Sequence, residues 1–162
     1  MTKRIVVSGN LGVGKTTLVQ KIGEYFNWHT VYESVVDNPY LSDFYADMCS
    51  WAFHLQIYFI GCRAKQYLEV AETLKPVIMD RSIYEDANVF APALYYLGKI
   101  TKRDYETILQ IYNVVKRSLP APDLLVYLKA PLEVIMQRIH TRGLEFDQKY
   151  IDKDYLVPFL KS

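Results

Sequence analysis

The sequence predicts a three-layer α/β domain built on a parallel sheet, and three observations carry that expectation. Short runs that are apolar on both faces, Ile5-Val6-Val7, Val77-Ile78-Met79 and Leu124 to Leu128, read as strands buried on both sides. Helical patterns separate them, as crossovers between parallel strands require. The polar strand-end residues Ser8, Glu33 and Asp80 all fall at carboxyl ends, where open α/β sheets bind their ligands. At 162 residues and 51% hydrophobic content the chain has the size and apolar fraction of one domain, 1–162, with no linker.

Taken in order, Ile5-Val6-Val7 forms the first strand and Gly9 to Gly14 a loop. Lys15 to about Phe26 follows as a helix with Leu18, Ile22 and Tyr25 on one face. A second strand over Thr30 to Glu33 leads into the turn signal Asp37-Asn38-Pro39. Trp51 to about Leu74 is a long helical stretch closed by Lys75-Pro76, and Val77 to Asp80 is a compact strand ending in a carboxylate. Helical pattern resumes from Ser82 to Leu97, where Gly98 ends it. Thr101 then caps a helix reaching about Ser118, Pro120 and Pro122 break the chain, and Leu124 to Leu128 is a further buried strand. Pro131 opens the next helix in its first turn, where a missing amide costs nothing.

Composition narrows the function. The formal charge is +1, from 19 basic and 18 acidic side chains, so neither a nucleic-acid tract nor a polybasic membrane anchor is expected and any anion site must be built locally. Cys49 and Cys62 are the only cysteines, no histidines accompany them at metal-ligand spacing, and the start does not resemble a signal peptide. A reduced, cytoplasmic setting without disulfide or zinc is therefore expected. No apolar run approaches the roughly 20 residues that span a bilayer. The 14 tyrosines and 7 phenylalanines suit either a cleft for flat rings or ordinary core packing.

The stretch Gly9-Asn10-Leu11-Gly12-Val13-Gly14-Lys15-Thr16-Thr17 fits G-x-x-x-x-G-K-[ST], with a strand before it and a helix after it. Glycines let successive backbone N–H groups turn inward around an anion, and the helix N-terminus adds its dipole. Lys15 would neutralise the β- and γ-phosphates of a nucleoside triphosphate, ATP first, while the Thr16 hydroxyl would coordinate Mg²⁺. A glycine turn that merely joins strand to helix is the plainer alternative.

Phosphoryl transfer also needs an oriented acceptor, a group to take its proton and cations around the moving phosphoryl. Glu33 and Arg81 supply a carboxylate and a guanidinium at neighbouring strand ends, although the two would equally form a structural ion pair. Asp80 has the place of a carboxylate that holds Mg²⁺ through water, or of a helix cap. Gln56 and Arg63 are seven apart and share one helix face. Gln56 can present its amide to a nucleobase edge or lie on a solvent stripe, and periodicity does not choose.

The blocks GNLGVGKTT, YESVVDNPYL, WAFHLQIYF, DRSIYED, PDLLVYLKAP and QRIHTRG together resemble the deoxynucleoside kinase family, in family order from about residue 3 to residue 156. The resemblance implies that Glu33 is the base for the substrate 5′-hydroxyl with Arg81 beside it, that Gln56 pairs with the base edge, and that Tyr45 contacts the sugar 3′-hydroxyl. Arg63 and Asp86 occupy the places of an arginine and aspartate pair in members acting on deoxyadenosine, deoxyguanosine or deoxycytidine, so these are expected over thymidine. Arg138 and Arg142, four apart, are similar to the arginines of a lid over about 138–148 that closes on the phosphates.

Two departures from the family pattern stand out. Arg142-Gly143-Leu144 lacks the last arginine of the usual lid, and Asp147 stands where a glutamate often approaches the 3′-hydroxyl. The family also continues past Tyr155 through a further helix and strand, so a C-terminal strand is expected to be absent here, and either this sequence is a shortened form or the donor base is gripped loosely. A homodimer is expected by the same resemblance. The Tyr95-Tyr96 region and the Tyr105 to Val115 helix offer a face for it, though core packing would explain those residues too.

The expected activity is transfer of the ATP γ-phosphoryl group, with Mg²⁺, to the 5′-hydroxyl of a deoxynucleoside. A nucleoside monophosphate kinase would need cations where Glu33 stands, and a non-catalytic relative would have lost Lys15, Glu33 or Arg81.

Overall fold

The computed structural model describes residues 3–33, 37–143, 151 and 153–160. Its elements are β1 (Arg4–Gly9), α1 (Lys15–Phe26), β2 (His29–Val31), α2 (Leu41–Ala46), α3 (Met48–Ala71) and β3 (Val77–Asp80). A helical run follows, made of α4 (Ile83–Glu85), a π-helical segment (Asp86–Phe90) and α5 (Ala91–Tyr96). Then come α6 (Lys102–Ser118), β4 (Leu124–Leu128), α7 (Leu132–Arg142) and α8 (Lys153–Leu160).

Every strand pair is parallel and the order is β2-β3-β1-β4, so β1, the strand that delivers the glycine loop, sits inside the sheet. Alternation along β1 builds the layers. Val6 packs with Val77, Met79, Tyr67 and Val70 on the α3 face, while Val7 packs with Ile78 and Val19 on the α1 face. Beyond α3 a larger cluster joins Leu55 and Ile60 to Ile83, Leu94, Ile108 and Tyr112. A separate cluster of Ile135, Ile139, Ile151 and Leu156 ties α7 to α8, and Leu11 of the glycine loop packs against it. The three-layer α/β expectation is met.

The differences lie at element ends. β2 stops at Val31, so Glu33 stands two residues beyond the strand rather than at its end. α3 begins at Met48 instead of Trp51 because Asp47 caps it, accepting from the Ser50 N–H at 3.2 Å, and it closes at Ala71 rather than Leu74. The short α2 carries no periodic signal long enough to be legible. Tyr25, expected on the buried face of α1, lies exposed in the last turn and meets the Phe26 ring edge-on at 4.7 Å.

The single helix expected from Ser82 to Leu97 is instead widened in its middle. Pro92 has no N–H to give to a carbonyl four residues back and its ring would press on it. Bonding from the Ala91 N–H back to the Asp86 carbonyl, five residues away, opens that turn. β4, expected to be buried, exposes Leu124, Leu125 and Tyr127, because among the described residues it pairs with β1 alone and forms one edge of the sheet. Among the described residues no helix is long and apolar enough to cross a membrane.

Candidate active site

The glycine loop opens where β1 outruns β3. Gly9 has φ 145, and a Cβ there would lie 2.5 Å from the Leu128 carbonyl oxygen, so no other residue fits between β4 and the loop. Gly14, at φ 105, turns the chain into α1. Asn10 accepts the Leu11 N–H on its side-chain oxygen at 2.7 Å, and the Val13 N–H reaches the Asn10 carbonyl at 3.3 Å, which rounds the loop. Gly12 backs onto Ile139 of α7.

Lys15 is buried and folds back over this loop, its Nζ donating to the Gly9 and Asn10 carbonyls, each at 2.8 Å. Burial pulls its pKa down from 10.5 to about 7 and Arg81 adds to the fall, against the pull of Glu85, Asp80 and Glu33. Among the described residues no carboxylate forms an ion pair with it. Thr16 and Thr17 face outward on the first turn, and the Thr16 hydroxyl donates to Asp80 Oδ2 from β3.

Asp80 is buried and its other oxygen has no hydrogen-bond partner. One hydroxyl and one carboxylate with a spare buried oxygen suit Mg²⁺, which takes few protein ligands and completes its shell with water and phosphate oxygens. Among the described residues no group of three or more His, Cys, Asp or Glu side chains could hold a metal by itself.

Across from the loop, Glu33 is gripped at both oxygens. Arg81 Nε lies 3.0 Å from Oε2 and Arg63 Nη2 donates to Oε1 at 2.8 Å. Burial alone would raise the Glu33 pKa, but Arg81 and Arg63 together outweigh it and hold the carboxyl below its usual range. Its side chain keeps 17% exposure, so Glu33 is not sealed into the core as Arg63 and Arg81 are. The sequence placed Arg63 at the base end only. In the fold it bridges both ends, with its Nε 3.7 Å from Asp86 Oδ2, because α3 crosses behind Glu33. Gln66, one turn on, donates to the Tyr32 carbonyl at 2.9 Å and fixes the segment carrying Glu33; nothing in the sequence singled it out.

Arg81 takes a left-handed backbone, φ 71, rare for a branched cation, and its guanidinium lies over the Phe90 ring at 4.5 Å. Gln56 is only 3% exposed, which removes the solvent-stripe alternative, and its Oε1 is buried without a partner. Tyr45 packs between the α3-side cluster and the α7–α8 cluster. Arg138 of α7 donates to the Val13 carbonyl at 2.9 Å, and with Gln137, Thr141 and Arg142 lines an open depression of about 410 Å³. Asp147 and the lid beyond residue 143 lie outside the described residues.

Asp86 faces Arg63 and Arg81 but also Glu33 and Glu85. Burial first, then the two carboxylates, raise its pKa to about 7, against the pull of the arginines. The folded state therefore binds a proton that the unfolded chain releases near 3.8, so the stability Asp86 contributes is full below that value and is lost as pH rises through about 7. Asp86→Asn, which mimics the neutral acid, is expected to match the parent near pH 4 and to melt higher than it at pH 8. Thermal melts at the two pH values check this.

Glu85 is the residue the sequence reading passed over. It is buried, and its two oxygens accept the Gly9 N–H at 3.2 Å and the Ser82 N–H at 3.1 Å. The Ser82-x-x-Glu85 spacing was a legible capping signal; the contact with Gly9 was not.

The family model "Deoxynucleoside kinase" matches residues 5–161. The chain is 41% identical over 145 residues to a deoxyadenosine/deoxycytidine kinase of Bacillus subtilis, covering 88% of this chain and 67% of that protein. It is 36% identical over 152 residues to a deoxyadenosine kinase of Dictyostelium discoideum, covering 94% and 61%. A deoxyguanosine kinase of Bacillus subtilis is 33% identical over 162 residues, covering 98% and 75%. The chain thus spans about two thirds of the length of these relatives. Among solved structures, the deoxyadenosine kinase from M. mycoides with products dCMP and dCDP bound superposes with a TM-score of 0.88 at 31% identity, covering 98% of this chain and 80% of that one. The same enzyme with dATP bound gives 0.87 at 28% identity. With its parallel sheet, its glycine loop and a family match along nearly its whole length, the chain belongs to the deoxynucleoside kinase family.

Proposed function

We propose that this domain transfers the γ-phosphoryl group of ATP to the 5′-hydroxyl of a deoxynucleoside, with deoxyadenosine, deoxyguanosine or deoxycytidine favoured over thymidine. One observation supports it above the others: a carboxylate kept ionised by two arginines and only partly buried stands within electrostatic reach of a lysine that makes no ion pair among the described residues. The loop amides and Lys15 hold the donor phosphates. Glu33 accepts the hydroxyl proton late in a loose transition state, and Arg81, Arg138 and Arg142 offset the charge of the moving group. Thr16 and Asp80 would hold Mg²⁺, which neutralises and orients phosphate oxygens.

At the base end, the orphaned Gln56 carbonyl awaits a donor such as an exocyclic amino group, a group adenine and cytosine carry and thymine lacks. Arg63 and Asp86 face the remaining ring substituents and Tyr45 the sugar 3′-hydroxyl, a role we extend to Asp147 from the family resemblance alone. Gln56→Leu is expected to raise KM for the nucleoside about tenfold or more with little change in kcat, since it removes ground-state and transition-state contacts alike. The same change should raise the stability of the nucleoside-free protein by about 1 kcal/mol, because a buried unpaired acceptor is gone. Steady-state kinetics and a denaturant titration measure the two effects.

We read the whole as a cytoplasmic, single-domain homodimer, for which the exposed Tyr95, Tyr96 and Val114 on α5 and α6 provide an apolar face. The activity is tested by incubating labelled ATP and Mg²⁺ with the four deoxynucleosides and, separately, their monophosphates. Labelled deoxynucleoside monophosphate is the expected product. Consumption of monophosphates alone would favour a monophosphate kinase, and binding without turnover a non-catalytic relative. Thymidine as the best substrate would overturn the base preference.

A further inference from the structure

β1 continues past the end of β3, and that mismatch creates a problem which Glu85 resolves. The last β3 residue, Asp80, is in register with Val7, and the next N–H along, that of Arg81, donates to the Val7 carbonyl at 3.0 Å. In a parallel strand every second residue turns its N–H and C=O to the same side, so Gly9 also points its polar groups toward β3, where no strand remains. Its carbonyl is taken by Lys15 and its N–H by Glu85 Oε1 at 3.2 Å. The other oxygen, Oε2, holds the Ser82 N–H at 3.1 Å. Arg81 therefore has its own N–H fixed to β1 and the following N–H fixed to Glu85, which pins the left-handed residue that presents its guanidinium to Glu33.

A capping role alone does not account for this carboxylate. The same chain contains a second capping box, Thr101 with Asp104, in which a half-exposed aspartate satisfies the Thr101 N–H at 3.1 Å and has only Thr101 as a hydrogen-bond partner among the described residues. Glu85 is 5% exposed and contacts a residue 76 positions away. Burying a carboxylate is costly unless its hydrogen bonds are worth having there, and a cap does not require burial. The extra methylene of glutamate over aspartate is what the reach to Gly9 uses.

We propose that Glu85 is a positioning residue for phosphoryl transfer, a single carboxylate that sets the spacing between the donor loop at Gly9 and the acceptor-side arginine, Arg81. It touches neither substrate. It acts through the two peptides it holds, so that the γ-phosphate cradle and the Glu33–Arg81 pair stay in register while nucleotides come and go. The inference rests on the proposed kinase reaction.

Glu85→Asp separates the two contacts. Aspartate can still cap at Ser82, as Asp104 does at Thr101, but is about 1.5 Å too short to bond Gly9 as well. The expected result is a melting temperature close to the parent's, a Gly9 amide proton resonance moved upfield, and a kcat about 100-fold lower, with KM for ATP and for the deoxynucleoside changed by less than about threefold. Glu85→Gln, which keeps the length but opposes an NH₂ group to one of the two N–H donors, is expected to fall between Glu85→Asp and the parent. Unchanged kcat in Glu85→Asp with a shifted Gly9 resonance would overturn the proposal. So would a loss of rate that vanishes once activity is expressed per nucleotide-binding-competent molecule. A parent protein without turnover would instead refute the kinase reading, while the Gly9 resonance would still report the contact itself.

Discussion

Glu33→Gln is expected to lower kcat by about 10²- to 10⁴-fold, the span associated with removing a positioned general base. Glutamine keeps the shape and can still accept from Arg63, but it cannot take a proton from the 5′-hydroxyl. Nucleoside binding should survive, because the proposed base contacts, Gln56 and Asp86, are separate from the carboxylate that changes. The variant should also be less stable by about 2 kcal/mol, since two buried guanidiniums then face a neutral amide; the partial exposure of the Glu33 side chain keeps this below the cost of breaking a fully buried pair. Because Arg81 and Arg63 hold the Glu33 pKa below its ordinary 4.5, Glu33 itself should impose no fall in the parent's kcat/KM until the pH is below that value, and changes near pH 7, where Lys15 and Asp86 titrate, should be shared by Glu33→Gln. Stability follows the same sign: the Glu33 contribution is present above the unfolded-state pKa and is lost as pH falls through the lower folded-state one. Rates for parent and variant from pH 8 down to about pH 4, with melts carried down to about pH 3, test these statements, and a variant turning over at the parental rate would remove Glu33 from the chemistry.

Lys15→Met should produce the second large effect, a fall in kcat of about 10²- to 10³-fold, comparable to losing one preorganised group that stabilises transition-state charge. Its stability effect should go the other way. The nucleotide-free fold holds this ammonium buried against two carbonyls, and burial disfavours its charge, so an apolar side chain of similar length is expected to leave the melting temperature unchanged or higher. ATP should then protect the parent against thermal unfolding far more than the variant. A destabilised Lys15→Met protein with normal ATP protection would mean that the lysine is a structural cross-brace for the loop rather than a phosphate ligand.

Much of this was legible in the sequence where a local rule applies. The glycine loop announces itself because its spacing follows from the backbone geometry of an anion cradle, and β1 and β3 are apolar on both faces because both are interior strands. β4 reads the same way yet is an edge, since residue type records what a strand can bury and not which neighbours it has. Pro92 stands inside the stretch read as one helix, and whether a proline ends a helix or widens it depends on whether the surrounding contacts hold the chain on course; here Ala87, Ala91 and Leu94 pack into the core on both sides of the wide turn.

Within the candidate site, Glu33, Arg81, Asp80 and Thr16 were each readable from position at a strand end or helix start. Their pairing was only half readable. Arg63 lies 30 residues from Glu33, and no spacing rule links them; only the crossing of α3 behind the segment after β2 does. Glu85 was legible as a helix cap and illegible as a partner of Gly9, because that bond depends on β1 being longer than β3, a property of the sheet and not of any single stretch.

The central claim is that Glu33 meets the primary alcohol of a deoxynucleoside at the mouth of the glycine loop. A crystal structure with deoxyadenosine and a non-hydrolysable ATP analogue tests it most directly. The account predicts the 5′-oxygen within about 2.6–3.2 Å of a Glu33 carboxylate oxygen, in line with the γ-phosphate, and the base edge on Gln56. A nucleoside seated with its 5′-oxygen turned from Glu33, while both arginines still clasp that carboxylate, would contradict it.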